Sequence, residues 1–194
     1  MSSQRHNEAP LTSVDDALLD AARDSIVAVG WKRTTLTGVA RRAGVSRMTI
    51  YRHWPDMQTL LGDLMTREFS GLSRLPSEGP VRARVADGIA ATVSALRAND
   101  LFHKIVHVDP ELLLPYLLDR RGRTQDALLG LTEAAVRDGQ ADGSVRDGEP
   151  ALLARSLLLA TYGFVLSTPT MTDDLPEHAF DDELRGLVDR YLAP

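Results

Sequence analysis

The sequence contains no cysteine, which excludes disulfides, thiolate metal sites and cysteine nucleophiles and is compatible with a reducing compartment. It also contains no glycine-rich phosphate loop, no G-x-S-x-G motif and no complete set of metal ligands. These absences argue against an enzyme. We therefore expect no cofactor and no bound metal.

Long apolar segments are missing as well. The first residues, "MSSQRHNEAPLTS", are polar and lack the apolar core of a signal peptide, so residues 1–12 are expected to form a flexible tail. The most apolar run, "ALLARSLLLATYGFVL", is interrupted by Arg155 and is shorter than the ~20 residues that a membrane-spanning helix needs. A cytoplasmic protein without a membrane partner is the resulting expectation.

Acidic residues are absent from one segment, although the whole chain has a formal net charge of −5. Between Trp31 and Trp54 there is no aspartate or glutamate, and six side chains are basic: Lys32, Arg33, Arg41, Arg42, Arg47 and Arg52. From Gly71 onward, by contrast, nineteen acidic residues outnumber thirteen basic ones. The distribution of charge, rather than the net charge, therefore bears on polyanion binding.

Apolar residues recur at helical spacing along nearly the whole chain, and no run alternates as a β-strand would. Hydrophobic residues make up 43% and charged residues 25%, values that are ordinary for a folded protein, so the pattern predicts an all-α fold. Four helices are predicted between residues 13 and 70, the middle two very short. Their start and stop signals are caps at Thr35, Ser46 and Asp56 and terminal glycines at Gly30 and Gly44.

The chain is predicted to divide into one helical domain over residues 13–70 and a second over residues 71–194. The stretch Leu72–Pro80 is the best linker candidate. Helices of the second domain are predicted at about 81–98, 101–107, 110–121, 124–139, 150–167 and 177–192. Asp109 and Pro110 suit the start of the third of these, and Pro115 is expected to kink it or to mark a break.

Two short helices joined by a glycine-containing turn form the helix-turn-helix layout, whose second helix lies in the DNA major groove. Arginine on that helix suits guanine, and threonine or methionine methyls suit thymine. The candidate DNA-binding residues are Lys32, Arg33, Thr34, Thr35, Arg42, Ser46, Arg47, Met48, Thr49, Tyr51, Arg52 and His53, with Val45 and Ile50 pointing inward. Charge and spacing alone leave a second interpretation open, a solvated cationic face on an ordinary small domain.

The segment "GWKRTTLTGVARRAGVSRMTIYRHWPDMQTLL", Gly30 to Leu61, strongly resembles the DNA-binding domain of the tetracycline-repressor-like (TetR) family of bacterial transcription regulators. Shared features are the glycine–aromatic pair, the double threonine, the Ala-Gly-Val-Ser turn and the Tyr-x-His-aromatic end of the third helix. The resemblance implies an all-α protein with an N-terminal three-helix helix-turn-helix domain and a helical C-terminal domain for ligand binding and dimerisation. It further implies a homodimer that binds a palindromic double-stranded DNA operator, usually as a repressor released by a small-molecule effector.

By motif position, the resemblance gives the candidate DNA-binding residues individual roles. The resemblance implies that Thr35 caps the second helix against a phosphate. It implies contacts to bases for Arg47, Met48 and Thr49, and contacts to the DNA backbone for Tyr51 and His53. The family commonly has a lysine at the start of the fourth helix, where this chain has Met57. That phosphate contact is then missing, or Arg52 or Arg42 supplies it. Gly38 is also a poor helix former inside the second helix, costing roughly 1 kcal/mol relative to alanine.

The C-terminal domain offers two further candidate sets. The predicted helix at 150–167 is apolar around most of its circumference, so a core on one side and a partner subunit on the other would cover it. A monomeric core is the alternative. Candidate dimer-interface residues are Leu158, Tyr162, Phe180, Leu184, Leu187, Val188 and Tyr191, and candidate effector-pocket residues are Phe102, His103, His107, Tyr116, Tyr162 and Phe164. The i, i+4 histidine pair could bind a metal, but a complete site needs three or four ligands, so a surface or pocket-lining role is preferred.

The leading hypothesis is a ligand-responsive dimeric repressor with a DNA operator, a second copy of itself and an unidentified small molecule as partners. Two other functions stay open at this point. One is a helical enzyme that uses its N-terminal helices as a docking module. The other is an interaction module whose basic face binds an acidic protein.

Overall fold

The computed structural model describes residues 13–72 and 75–194, and every regular element within them is helical, which confirms the all-α prediction. The predicted tail, residues 1–12, lies outside the described residues. The α-helices are α1 (Ser13–Val29), α2 (Leu36–Arg42), α3 (Arg47–His53), α4 (Met57–Ser70), α5 (Val81–Arg97), α6 (Asp100–Val108), α7 (Leu114–Leu118), α8 (Arg123–Ala141), α9 (Pro150–Leu166) and α10 (Glu177–Leu192). Short 3₁₀-helices cover Trp31–Arg33, Pro110–Leu112 and Thr168–Thr170.

Local signals set the bounds of the short helices. The side chains of Thr35, Ser46 and Asp56 each accept the backbone N–H of the residue three positions on, at 3.1, 3.1 and 2.7 Å, so the three predicted caps are confirmed. Gly44 follows α2 with φ +72°, a left-handed conformation that residues with a Cβ rarely adopt. The chain can therefore turn between α2 and α3 within four residues.

The first compact unit of the chain ends at Leu64 and is built around α1. Helices of seven residues, such as α2 and α3, are not stable alone, so packing must hold them in place. Fully or nearly fully buried side chains come from all four helices: Leu18, Leu19, Ala22, Ile26, Leu36, Val39, Ala40, Ile50, Trp54, Leu60, Leu61 and Leu64. Trp54 additionally donates its Nε1–H to Asp63 Oδ2 on α4 at 2.7 Å.

The second compact unit begins at Met65, so the division falls inside α4, whereas the sequence pattern placed it after residue 70. Its core joins α5, α8, α9 and α10 through Val81, Val85, Ala86, Val93, Ala135, Val136, Val145, Leu153, Leu157, Leu184, Val188 and Leu192. Leu184 and Val188 were expected at the dimer interface, but they are only 1% and 2% exposed within the single chain. That expectation is corrected, because their side of α10 packs into the subunit's own core.

The predicted helix at 110–121 is divided into two short pieces. A 3₁₀-helix, Pro110–Leu112, precedes α7, and Pro115 lies in the first turn of α7 rather than at a kink. Proline lacks the N–H that a helix interior needs but is tolerated in the first turn, so the helix restarts just before it. Of the two effects expected of Pro115, a kink or a break, the structure shows the break. Within the described ranges, no helix combines the length and apolar composition needed to cross a bilayer.

Candidate nucleic-acid interface

The outward side of α3 is set by what its inward side buries. Ile50 is fully buried and Val45, in the preceding turn, is half-buried. With Ile50 inward, Arg47, Met48 and Arg52 are exposed, and Met48 is 81% exposed. A thioether that is so open to solvent on a well-packed helix is available to another surface. The first turn of α3 thus presents an arginine and a methionine together.

All six basic residues of the acid-free segment are exposed. They lie on the 3₁₀-helix (Lys32, Arg33), at the end of α2 (Arg41, Arg42) and on α3 (Arg47, Arg52). Arg42 Nη2 lies 3.3 Å from Asp24 Oδ2, and both side chains are about half exposed, so this surface pair contributes little to stability. The basic residues of this segment are therefore all accessible in the folded unit, and we call them together the cationic surface.

Two contacts order the start of α3. The Ser46 and Thr49 hydroxyl oxygens lie 2.8 Å apart and share a hydrogen bond, in addition to the cap that Ser46 forms. The Arg47 guanidinium carbon lies 5.3 Å from the centroid of the Tyr51 ring, within the range of a cation–π contact. These contacts restrict the side chains that direct base recognition would use.

The cap of α2 gives a physical reason for the unfavourable glycine inside that helix. A Cβ built on Gly38 would lie 3.2 Å from Thr35 Oγ1, the atom that accepts the Gly38 N–H. Such a contact is closer than nearly all real Cβ contacts, so any larger residue would push against the capping hydroxyl. Glycine leaves the cap room to close, which offsets its low helix propensity.

Two of the candidate DNA-binding residues are turned inward. Thr34 is buried, and its hydroxyl donates to the Gly30 carbonyl at 2.8 Å, which fastens the turn that precedes α2. His53 is half-buried, with Nδ1 2.7 Å from Asp15 Oδ1 on α1. Its Nε2 is buried and has no hydrogen-bond partner among the described residues. As folded, neither side chain presents the polar atom that a phosphate contact would need.

Asp15 was missed in the sequence, although its position carried a signal. It lies three and four residues before Leu18 and Leu19, on the face of α1 that the core buries, and it is itself buried. A carboxylate on an apolar face needs a partner, since burying an unpaired charge is costly. Asp63 on α4, which accepts the Trp54 N–H, was missed in the same way.

The start of α4 carries an anion near the position where the family commonly has a lysine. Met57 is half-buried, and Asp56 before it is exposed. The backbone N–H of Thr59 and then its hydroxyl, at 2.7 and 2.9 Å, bond to the carboxylate and hold the pKa of Asp56 below its usual value. The local geometry therefore favours helix capping over a phosphate contact here.

The expected effector-pocket residues differ in burial and in their partners. Gln125 joins two of them, because its Nε2 donates to the Tyr116 carbonyl at 3.1 Å and to the Tyr162 hydroxyl at 2.6 Å. Burial raises the pKa of Tyr162. The other four have different surroundings. Phe102 is buried with its ring edge-on to Phe69, and Phe164 packs against the core of the second unit. His103 and His107 are exposed, with their ring centroids 4.2 Å apart. Among the described residues no three potential metal ligands form a group.

A groove of about 270 Å³ lies between α5 and α10, and none of the expected pocket residues lines it. Its walls are Ala83, Ala86, Asp87, Asp182, Arg185, Gly186 and Asp189. Arg185 already pairs with Asp87 and Asp182 at 2.8 and 2.7 Å, so its charge is compensated within the protein. The groove therefore offers no unpaired arginine to a ligand.

The remaining expected interface residues differ in exposure. Leu187 is exposed, whereas Leu158, Tyr162, Phe180 and Tyr191 are half-buried, and the Arg146 guanidinium carbon lies 4.7 Å from the Tyr191 ring centroid. A partner subunit was expected on the outward side of α9, but the two most exposed leucines of that side were not among the residues named for it. There, Leu152 and Leu159 are 61% and 68% exposed, seven residues apart on one face. Their spacing was the signal, since the apolar run is too broad for one core.

Comparison with known proteins adds a second kind of evidence. The sequence profile of the bacterial regulatory proteins of the tetR family matches residues 18–64, which contain α2, α3 and the turn between them. An uncharacterized HTH-type transcriptional regulator from Mycobacterium bovis is 34% identical over 177 residues, covering 91% of this chain and 93% of that protein.

Solved structures share the fold at low sequence identity. The fatty acid degradation regulator FadR from Bacillus halodurans aligns with a TM-score of 0.70 at 16% identity, covering 93% of this chain and 96% of that one. The SmeT–triclosan complex aligns with a TM-score of 0.66 at 18% identity, covering 94% and 93%. At these identities the likeness concerns the fold alone. The relative matched over nearly its whole length, together with the helix-turn-helix geometry, places the chain in the tetR family of bacterial regulatory proteins, as a transcriptional regulator with a helix-turn-helix DNA-binding domain.

Proposed function

We propose that the protein is a homodimeric repressor that binds a palindromic DNA operator and is released from it by a small-molecule effector. The observation that carries the proposal is the cationic surface: six exposed basic residues and no acid between Trp31 and Trp54. Phosphate neutralisation by such side chains supplies most of the affinity of a DNA-binding domain. The burial of Ile50 supports assigning the exposed residues of α3 to the operator.

The proposed contacts divide into base recognition and backbone positioning. In the major groove, Arg47 would pair with guanine and Met48 would meet a thymine methyl, with the Ser46–Thr49 hydroxyl pair beside them. Backbone contacts are assigned to the exposed residues Lys32, Arg33, Thr35, Arg42, Tyr51 and Arg52. Thr34 and His53 are left out of this set, since their polar atoms face other parts of the protein.

A second copy of the chain is proposed to cover the outward side of α9. Leu152 and Leu159 there, with Leu187 on α10, are exposed in the single chain. Leucines in such a row favour a helix-packing interface, and a two-fold axis would set two recognition helices about 34 Å apart on a palindromic site. These three residues replace Leu184 and Val188 in the proposed interface.

The effector is proposed to act in the second unit by shifting a population of conformers. An effector that prefers one conformer draws the dimer away from the spacing that matches successive major grooves. Tyr116, Gln125 and Tyr162 supply a half-buried polar set of the kind that orients a mostly apolar ligand. The triclosan complex of the structural neighbour supports a small molecule as the class of effector.

Operator binding is tested with labelled DNA that flanks the protein's own gene, using fluorescence anisotropy. Wild type should bind, and Arg47→Ala should weaken binding by about 10- to 100-fold, as expected for the loss of a bidentate base contact. Arg137→Ala is the matched control, because Arg137 is an exposed arginine on α8. Equal affinity of wild type and Arg47→Ala would refute the assignment of base contacts.

Dimerisation is tested by sedimentation velocity. Leu159→Glu should shift the protein to monomer, whereas Leu131→Glu on α8, where the leucine is 60% exposed, should leave the dimer intact. A monomeric wild type would contradict the proposed homodimer.

Turnover of a bound small molecule would instead support the enzyme hypothesis.

A further inference from the structure

A buried carboxylate lies directly behind the proposed recognition helix. Asp15 is in the first turn of α1, and its side chain is 11% exposed. Nδ1 of His53, the last residue of α3, lies 2.7 Å from Asp15 Oδ1. The two atoms are in close contact, but the ring N–H does not point at Oδ1 as a hydrogen bond would require.

The two residues lie at helix ends. Asp15 is in the first turn of α1, where a carboxylate is stabilised, and His53 is the last residue of α3. The other ring nitrogen of His53, Nε2, is buried and unpartnered among the described residues. As folded, the imidazole is therefore directed at α1 and not at the surface that carries Arg47 and Arg52.

We propose that Asp15 is a positioning residue for operator binding. It holds His53 and through it the C-terminal turn of α3, which carries the exposed Tyr51 and Arg52. His53 then serves the operator indirectly and does not contact a phosphate. The proposal rests on the DNA-binding function proposed above. The Trp54–Asp63 hydrogen bond holds the same end of α3 from α4, so two neighbouring helices fasten it.

Two amide variants of His53 separate positioning from direct phosphate contact. The side-chain nitrogen of asparagine falls near the place of Nδ1, and that of glutamine falls near the place of Nε2. His53→Asn therefore keeps a donor toward Asp15, and His53→Gln keeps one on the other side of the ring. Positioning predicts near wild-type operator affinity for His53→Asn and a loss of about tenfold or more for His53→Gln. A phosphate contact through Nε2 predicts the reverse order, which would overturn the proposal.

A double-mutant cycle with Asp15 completes the test, using full-length protein and the operator fragment that wild type binds. Asp15→Ala should weaken binding about as much as His53→Gln, and the double variant should be no weaker than either, because both remove the same contact. Asp15→Asn retains an acceptor and should rescue most of the affinity. His103→Gln, at an exposed histidine of α6, is the matched control.

Melting temperatures measured on the same samples separate positioning from general stability. If Asp15→Ala lowers the melting temperature but leaves operator affinity unchanged while folded, Asp15 is merely structural and the proposal fails. Additive losses in the cycle would also overturn it, since they show independent roles. If wild type binds none of the flanking DNA, the proposed function itself fails. Failure of the positioning role is a different result, because wild type then binds and only the variants depart from the expected affinities.

Discussion

Replacing Arg52 by alanine should make operator binding less sensitive to salt. Four exposed cations of each protomer, Lys32, Arg33, Arg42 and Arg52, are assigned to phosphates, which gives eight in the proposed dimer. Each neutralised phosphate contributes about −0.9 to the slope of log K against log salt concentration, so wild type should show a slope of about −7. Doubling the salt concentration should then lower the affinity about a hundredfold.

The Arg52→Ala dimer loses two of these contacts, and its slope should change to about −5, with about a fortyfold loss on doubling the salt. Arg42→Ala should change the slope less, because Arg42 must first leave Asp24, which lies 3.3 Å away. The slopes are measured by anisotropy over about 50 to 200 mM potassium chloride, the range in which counterion release dominates. The control Arg137→Ala should keep the wild-type slope. A wild-type slope near −2, or equal slopes for wild type and Arg52→Ala, would refute the assignment of phosphate contacts.

Three further substitutions test how the first unit is held together, each by urea unfolding. Trp54→Phe removes the N–H that Asp63 accepts at 2.7 Å and should lower the free energy of unfolding by about 2 kcal/mol; an unchanged midpoint would contradict the value given to this bond. Gly44→Ala should cost about 1 kcal/mol or more at φ +72°, whereas Gly71→Ala, at an open site without positive φ, should not. Asp56→Asn should be less stable than wild type above about pH 4 and should approach the stability of wild type in acid. A carboxyl whose pKa is lowered on folding stabilises the folded state only while it is ionised. A stability difference that does not change with pH would exclude the Asp56 carboxylate as its source.

The helices of the first unit could be predicted because their signals are local. Thr35, Ser46 and Asp56 cap within three residues, and Gly44 ends α2 by its own backbone freedom. The second unit shows where this stops. The helical pattern over 110–121 predicted one helix, but the structure has a 3₁₀-helix followed by α7. The pattern could not show whether Pro115 lies inside one helix or in the first turn of a new one.

The candidate site was predictable to the extent that exposure follows periodicity. Ile50 inward leaves Arg47 and Met48 outward, and the structure has them so. The orientation of His53 was not predictable from α3, since its partner Asp15 is 38 positions earlier in the sequence, on another helix. His53 is the last residue of α3, where helical spacing does not decide whether a side chain faces the core. Its orientation depends on tertiary contacts instead.

The acids that the recognition segment lacks are supplied by the flanking helices, and their depth decides their effect. Asp15 is buried against His53, and Asp63 is half-buried against the Trp54 N–H, so each carboxylate has a contact at the C-terminal end of α3. In the proposed interface they would hold the helix without adding negative charge to the surface that carries the exposed arginines. Asp24, in contrast, is exposed beside Arg42 and would compete with DNA for it if Arg42 makes the proposed phosphate contact. The sign of the recognition surface therefore depends on where the neighbouring carboxylates face, which a net charge of −5 does not reveal.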